Sequence, residues 1–377
     1  MKEILPNQQL IMGNSSCEEI LQILLDHKVR RFLLVCGSSF HSLAIADTIK
    51  GFPIPYTVFS DFSPNPKYED ICKGVALFNR EGCDFVLSVG GGSSMDVAKC
   101  IKLFATMDPK ELFLRQAYLE NGIPLMAIPT TAGTGSESTR YAVIYHEGEK
   151  LSVTHGSLVP KFAVLEPSVL ESLPLYQKKC SMLDALCQGI ESWWSVNANQ
   201  ESISYARQAI SLVVEHIDGY LANEPVGNEG MLLASNWAGR AINITQTTAP
   251  HAMSYKITSL FGLPHGHAVA LCLPKVWRFM LENQALCIDP RGREYLASVF
   301  DELATALGAQ GPDKAILWLE ALLETLDMKV PTGLDEAKLQ VLVDSVNLER
   351  LQNSPVKLDA LTLRKLYENI FDFLKEG

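Results

Sequence analysis

The chain lacks the features that mark several classes of protein. Its 377 residues carry 32 Lys and Arg against 43 Asp and Glu, a formal net charge of -11. Binding to a phosphate backbone needs a basic surface, so nucleic acid is not expected as a main partner. The sequence has no apolar run long enough to cross a bilayer and no secretory apolar segment near its start, so we expect no membrane partner.

The cysteines also lack any ordered spacing. There are nine of them, with no CxxC pair. Such a pattern predicts free thiols in a reducing cytosol, and therefore a cytoplasmic protein, rather than a disulfide framework. A hydrophobic content of 47% and a charged content of 20% are ordinary for a globular enzyme. The length predicts about two domains.

The two halves of the chain differ in their periodicity. Short apolar runs separated by helical segments (39–49 and 68–81) predict strands in the first half, at 31–36, 56–59, 85–89, 124–129, 141–145 and 162–165. This alternation predicts a doubly wound, mostly parallel, Rossmann-like α/β sheet. Helical periodicity dominates from residue 178 onward, so we expect an α/β domain at 1–176 and an all-α domain at 177–377.

Two loops rich in small residues each follow a predicted strand. The first is Gly90-Gly91-Gly92-Ser93-Ser94, which also opens a helix, and the second is Thr130-Thr131-Ala132-Gly133-Thr134. Glycines let the backbone approach a ligand, and a helix N-terminus offers free N–H groups to a phosphate. The first loop alone could be a plain tight turn. Two such loops at the carboxyl ends of parallel strands predict a dinucleotide site.

Histidine is scarce and unevenly distributed. Only eight occur in the chain, and His251, His265 and His267 fall within seventeen positions. Upstream, Asp184 and Gln188 are four residues apart, so they share a helix face. These residues together indicate a single divalent-metal site with one unusual ligand.

The segments GGGSSMDVAK and IPTTAGTGSE, with the spacing of Asp184, His251 and His265, closely resemble the iron-containing (group III) alcohol dehydrogenases. The resemblance implies the dehydroquinate synthase-like architecture of that family, with a dinucleotide-binding domain at 1–176 and a metal- and substrate-binding domain at 177–377. It also implies a homodimer or larger assembly. The segment LPHGHAVALCLPKVW, with Gln188 and Tyr255, is similar to the phosphonoacetaldehyde reductase branch.

By the same resemblance, the two loops hold NADP(H) or NAD(H). The implied cofactor residues are Gly91, Gly92 and Ser93 at the pyrophosphate, Asp96, Thr130, Thr131 and Thr134 along the cofactor, and Lys150 towards the ribose. Members that prefer NAD carry an Asp after the first strand, where this chain has Gly37, followed by Ser38 and Ser39. Loss of the carboxylate removes repulsion of a 2′-phosphate and favours NADP(H) or dual use. The alternative is that Gly37 only permits a tight turn.

The resemblance implies that Asp184, Gln188, His251 and His265 hold one divalent metal, Fe²⁺ or Zn²⁺. The family has His where this chain has Gln188, and an amide oxygen is a weaker donor than an imidazole nitrogen. Three hypotheses follow for Gln188. It ligates with lower affinity, it hydrogen-bonds a water on the metal, or it marks a site that has lost its metal and its chemistry.

The implied reaction is hydride transfer between the nicotinamide and a short aldehyde or alcohol, with the metal as Lewis acid. Tyr255 and His267 are candidates for proton delivery. Arg140 and Lys256, with Lys275, are candidate cations for an anionic substrate tail. The leading expectation is reduction of phosphonoacetaldehyde to 2-hydroxyethylphosphonate. A neutral short-chain alcohol or diol, or a nucleotide-binding member without catalysis, is the alternative.

Overall fold

The computed structural model describes residues 2–5, 8–13 and 16–372. Two compact units make up the chain. The first consists of Met1–Pro174 and Asp218–Gly239, and the second of Leu175–Ile217 and Arg240–Gly377. The segment 218–239, which has the helical periodicity of the second half, thus belongs to the first unit. Its Asn236 amide donates hydrogen bonds of 2.6 Å to Ser138 Oγ and 3.2 Å to Glu137 Oε1.

A sheet with strands in the order β1-β2-β9-β6-β5-β3-β4 forms the centre of the first unit in the part of the chain described. Pairing is parallel except between β1 and β2. The strands are β1 (Lys2–Leu5), β2 (Gln8–Met12), β3 (Phe32–Cys36), β4 (Tyr56–Phe59), β5 (Phe85–Gly90), β6 (Leu125–Pro129) and β9 (Phe162–Leu165). The predicted doubly wound parallel sheet is confirmed.

Four helices of this unit connect successive parallel strands and cover the sheet. They are α1 (Ser16–Asp26), α2 (Ile45–Lys50), α3 (Tyr68–Arg80) and α4 (Gly92–Phe104). Strands β3, β5, β6 and β9 are buried at every position, as expected for strands covered on both faces. The predicted helix 39–49 is instead a 3₁₀ turn, Ser38–Ser42, followed by α2. Leu43 between them is extended, with φ −81° and ψ 140°, which breaks the helix.

One predicted strand lies outside the main sheet. Strand β7 (Tyr141–His146) pairs antiparallel with β8 (Glu149–Thr154), which the sequence pattern did not predict. Glu147 and Gly148 join them with φ of 52° and 83°. Positive φ at both central residues is the geometry of a tight two-residue hairpin. The Glu-Gly pair was therefore the feature of the sequence from which this hairpin could have been predicted.

The second unit is helical, which confirms the predicted all-α character of the C-terminal half. Its central helices are α5 (Leu175–Trp194), α8 (Ala249–Phe261) and α9 (His265–Glu282), and α5 and α9 bury Trp193, Trp194 and Trp277 almost completely. The other helices of the second half are α6 (Gln200–Leu221), α7 (Pro225–Thr245), α10 (Arg293–Ala306), α11 (Pro312–Thr325), α12 (Glu336–Asp344), α13 (Leu348–Leu351) and α14 (Ala360–Ile370). Within the described residues, none of the helices is both long enough and apolar enough to cross a bilayer.

Candidate metal centre and cofactor loops

Three helices of the second unit bring the predicted metal ligands together. Asp184 lies on α5, His251 in the first turn of α8, and His265 at the first residue of α9. Their ligand atoms lie within 4.8 Å of one another. Asp184 and His251 are buried, while His265 is partly exposed. A carboxylate oxygen and two imidazole nitrogens at this spacing suit Fe²⁺ or Zn²⁺.

Gly266 allows α9 to approach α5 at this point. A Cβ at Gly266 would clash with the Cys180 carbonyl oxygen and lie 2.9 Å from Asp184 Cβ. Any larger residue would therefore push His265 away from Asp184. Helix α8 ends just before, at Gly262 with φ 69°. The short connection from Gly262 to Pro264 delivers both histidines to one place.

Glu191, which the sequence pattern did not single out, holds His251 in position. Its Oε1 hydrogen-bonds His251 Nδ1, and its Oε2 accepts from Thr248 N at 2.7 Å and Thr248 Oγ1 at 2.8 Å. Glu191 has no solvent exposure. With Nδ1 engaged, His251 turns Nε2 towards Asp184 Oδ1 at 3.3 Å. This arrangement fixes the tautomer that leaves Nε2 available to a metal.

The charges around His251 favour a cation. Burial by itself would lower the pKa of His251, but the Glu191 and Asp184 carboxylates raise it to about 10. Burial likewise would raise the pKa of Asp184, yet the hydrogen bond from His251 and the charge of His265 hold it below its ordinary value. The two buried carboxylates therefore favour a positive charge nearby, which either a proton on His251 or a divalent ion supplies. The donor set thus fits the metal that the sequence predicts.

Gln188 lies on the same face of α5, one turn after Asp184, and is buried. It hydrogen-bonds the Asp184 side chain and so contributes to the low pKa of that carboxyl. When the Gln188 amide nitrogen donates to Asp184, the amide oxygen faces away from that carboxylate. Its role as a ligand stays a prediction.

The two candidate proton donors lie in different surroundings. Tyr255 is one turn after His251, and its ring stacks on His265 with centroids 5.3 Å apart and planes 2° apart. His267 is buried two residues past His265, and its Nδ1 lies 2.8 Å from the Tyr176 hydroxyl. Burial lowers the pKa of His267. His267 does not belong to the ligand cluster, whereas Tyr255 contacts His265, a member of that cluster. Of the two candidate proton donors, this geometry favours Tyr255.

The predicted substrate cations each have their own surroundings. On α8, Lys256 is about 140° around the helix from His251. Lys275 on α9 forms an ion pair of 2.8 Å with Glu320. Arg140, in the first unit, has its guanidinium carbon 5.4 Å from the ring of Tyr141. Arg350, which was not predicted, contacts Tyr255, the residue whose ring stacks on His265. Its Nη1 donates to the Tyr255 hydroxyl at 2.5 Å.

In the first unit, the two small-residue loops lie side by side. Gly91 caps α4 directly after β5, and Thr130 directly follows β6, the neighbouring strand. A Cβ at Gly91 would lie 3.4 Å from Thr131, and one at Gly92 would lie 3.2 Å from Thr134. The loops therefore meet at the carboxyl ends of adjacent parallel strands, beside the N-terminus of α4. Ser93 is half-buried in the first turn of that helix.

Asp96 and the unpredicted Lys99 anchor the segment that follows the second loop. Asp96 accepts from Ser136 Oγ at 2.9 Å and from Val143 N at 3.0 Å. Lys99 Nζ donates to Ser136 Oγ, to Thr139 Oγ1 and to the Tyr141 carbonyl at 2.9, 3.0 and 2.8 Å. Burial lowers the pKa of Lys99 to about 8. Cofactor binding by Asp96 stays a prediction, and its contacts here are with Ser136 and Val143 beyond the loop.

Gly37 occupies an ordinary backbone conformation at the end of β3. Its φ is −83° and its ψ 179°, which any residue adopts, and a Cβ there would meet only Ser94 Oγ at 4.0 Å. The turn therefore does not require glycine, contrary to the tight-turn alternative. Ser38 and Ser39 follow it and are exposed. Lys150 is exposed on β8, and its charge helps to lower the pKa of Asp96, although burial raises that pKa overall.

Two family models match the chain. Iron-containing alcohol dehydrogenase matches residues 7–167, and the C-terminal domain of the Fe-containing alcohol dehydrogenase family matches residues 179–371. The chain belongs to the iron-containing alcohol dehydrogenase family. The predicted family and its enzyme class are confirmed.

Individual relatives agree with this assignment. Phosphonoacetaldehyde reductase of Streptomyces viridochromogenes is 33% identical over 75% of this chain and 75% of its own. 1,3-propanediol dehydrogenase of Klebsiella pneumoniae is 31% identical over 74% of this chain and 73% of its own. The crystal structure of sulfoacetaldehyde reductase from Bifidobacterium kashiwanohense with NAD⁺ is similar at a TM-score of 0.86, with 26% identity and 98% of each chain covered.

Proposed function

We propose that the chain is a metal-dependent, NAD(P)H-linked aldehyde reductase for short aldehydes with an anionic tail. Phosphonoacetaldehyde is the leading substrate and 2-hydroxyethylphosphonate its product. The observation that carries the proposal is the cluster of Asp184, His251 and His265, of which the first two are buried and the third is partly exposed. The 33% identity to a phosphonoacetaldehyde reductase and the fold shared with a sulfoacetaldehyde reductase support an anionic tail.

One divalent ion, Fe²⁺ or Zn²⁺, would be held by Asp184, His251 and His265, with Gln188 as the fourth donor. When bound, it supplies Lewis-acid polarisation of a carbonyl oxygen. Glu191 keeps the His251 ring oriented for this task. Tyr255 would exchange a proton with the substrate oxygen, and its stacking on His265 supports this role. His267 would act through Tyr176, whose hydroxyl hydrogen-bonds its Nδ1.

The cofactor would lie on the paired loops of the α/β domain. Gly91, Gly92 and Ser93 would hold the pyrophosphate at the N-terminus of α4. Thr130, Thr131 and Thr134 would line the cofactor, and Lys150 would approach the ribose. The space at Gly37 and the exposed hydroxyls of the two following serines support NADP(H), or use of both cofactors. We assign 1–176 to cofactor binding and 177–377 to metal and substrate, in a cytoplasmic homodimer or larger homo-oligomer.

Two other functions have a specific observation in their favour. The identity of 31% to a 1,3-propanediol dehydrogenase favours a neutral alcohol or diol. Gln188 in place of a histidine favours a nucleotide-binding member without catalysis.

Oxidation of NADPH and NADH with a panel of short aldehydes, with and without added Fe²⁺ or Zn²⁺, separates the three functions. We expect metal-dependent turnover that is fastest for phosphonoacetaldehyde. Equal rates for propanal would favour the neutral substrate. No turnover with any metal, in the wild type and in Gln188→His alike, would refute the reductase.

A further inference from the structure

Arg350 on α13 is an arginine without a carboxylate partner in the described residues. Its Nη1 donates to the Tyr255 hydroxyl at 2.5 Å, and its guanidinium carbon lies 5.1 Å from the centroid of the Tyr255 ring. No described Asp or Glu forms an ion pair with it, although the chain has a net charge of -11. Four other arginines of the second unit each contact a carboxylate: Arg207, Arg278, Arg291 and Arg364.

The position of Arg350 connects it to the metal centre. Tyr255 stacks on His265 with parallel planes, and Arg350 contacts the same ring and its hydroxyl. A single aromatic ring therefore separates the guanidinium from a predicted metal ligand. A substrate held at the metal centre would bring its tail within the electric field of the Arg350 guanidinium.

The guanidinium keeps donors for a ligand. Five N–H groups in a planar fork are available to an arginine, and the contact with Tyr255 uses Nη1. Such a fork matches two oxygens of a phosphonate or sulfonate, while Tyr255 fixes its orientation at low entropic cost. The partly exposed side chain remains open to a small anion.

We propose that Arg350, oriented by Tyr255, binds the anionic tail of the substrate and thereby determines specificity for a tetrahedral oxyanion. This inference rests on the proposed reductase function. It assigns to Arg350 the role that the sequence pattern suggested for Arg140 and Lys256. The aldehyde end of the substrate lies at the histidines and the tail beyond the Tyr255 ring.

The test compares Arg350→Gln, Arg350→Lys and, as a matched control, Arg207→Gln, a surface arginine of the same unit. Kinetics are measured with phosphonoacetaldehyde, sulfoacetaldehyde and propanal. Arg350→Gln should raise KM for both anionic aldehydes about 10- to 100-fold, since a charged hydrogen-bonded contact is lost. The fall in kcat/KM for propanal should stay below about threefold. Arg350→Lys should lie between, because it keeps the charge without the fork.

Two further measurements distinguish failure of the anion site from failure of the reductase function. Calorimetric binding of 2-hydroxyethylphosphonate to the metal-loaded protein with NADP⁺ reports the anion site without turnover, and metal content reports the His265 environment. Equal losses for propanal and the anionic aldehydes, or a loss of metal in Arg350→Gln, would overturn the inference. If the wild type binds the phosphonate through Arg350 but reduces no aldehyde, the reductase function fails and the anion site stands.

Discussion

Glu191→Gln should weaken binding of a divalent metal about 10- to 100-fold, the usual effect of removing a carboxylate that orients a metal-binding histidine. The native carboxylate accepts from both donors of Thr248 on one oxygen and contacts His251 Nδ1 with the other. Glutamine has a single acceptor oxygen and an NH₂ donor. The substitution therefore cannot satisfy both sides.

Each orientation of the new amide has a cost. If its oxygen faces Thr248, the NH₂ faces His251 Nδ1, so the ring proton moves to Nε2 and blocks the atom aimed at the metal. If its oxygen faces His251, the NH₂ opposes the Thr248 N–H in a buried place, which costs about 1–3 kcal/mol. Whichever orientation costs less, the expected loss in the free energy of metal binding is about 1.4–2.7 kcal/mol, or 10- to 100-fold in affinity.

Competition with a fluorescent zinc chelator at neutral pH measures the affinity directly. Glu320→Gln is the matched control, because Glu320 is a partly exposed acid paired with Lys275. Thr248→Val should have a smaller effect, since Glu191 keeps the hydrogen bond from the backbone N–H. Zinc affinity within about twofold of the wild type in a folded Glu191→Gln protein would refute the reasoning.

Further substitutions probe the other features. Gly37→Asp should lower the ratio of kcat/KM for NADPH to that for NADH about tenfold, because the space at Gly37 admits a carboxylate that repels a 2′-phosphate; an unchanged ratio would contradict the cofactor assignment. Gly266→Ala should destabilise the protein by about 1–3 kcal/mol through overpacking against Cys180, measured by urea unfolding, and should also lose zinc; native stability would contradict the close approach. Burial holds the pKa of Lys99 at about 8, against 10.5 for a free lysine. Between these two pH values the unfolded chain binds more protons than the folded one, so the free energy of unfolding rises with pH there. Lys99→Met should remove that rise, and an identical pH slope in the two proteins would contradict it.

The sequence predicted those parts of the molecule that are encoded locally. Strands such as Tyr56–Phe59 and Phe162–Leu165 have the predicted bounds, because short apolar runs between turn residues specify strands, whether partly exposed like the first or buried like the second. The hairpin at Glu147 and Gly148 was missed because its polar strand has one buried residue, Val153. A half-exposed strand of this kind has little of the apolar pattern on which prediction depends.

The residues of the candidate site also fall into those that a local pattern predicts and those that it does not. Asp184, His251 and His265 were predicted and are close together. Arg350 reaches Tyr255 from 95 residues away, and no local pattern encodes such a contact. Glu191 was accessible in principle, since it lies two helical turns after Asp184 and faces the same side. A buried acid on the face of a predicted ligand is the pattern that would have identified it.

The two histidines of the centre both lie in the first turn of a helix, at the N-termini of α8 and α9. A helix N-terminus carries about half a positive charge, so the backbone of this site opposes a cation with roughly one unit of charge. Helix α5 reverses that field with Asp184 and Glu191, both buried. Neutralising either acid would leave one negative charge against roughly one unit of positive charge from the helix dipoles, so the centre would attract a divalent ion more weakly. The electrostatic sign of the centre is therefore set by α5, and evolution could abolish or restore metal loading in this chain through that helix without changing either histidine.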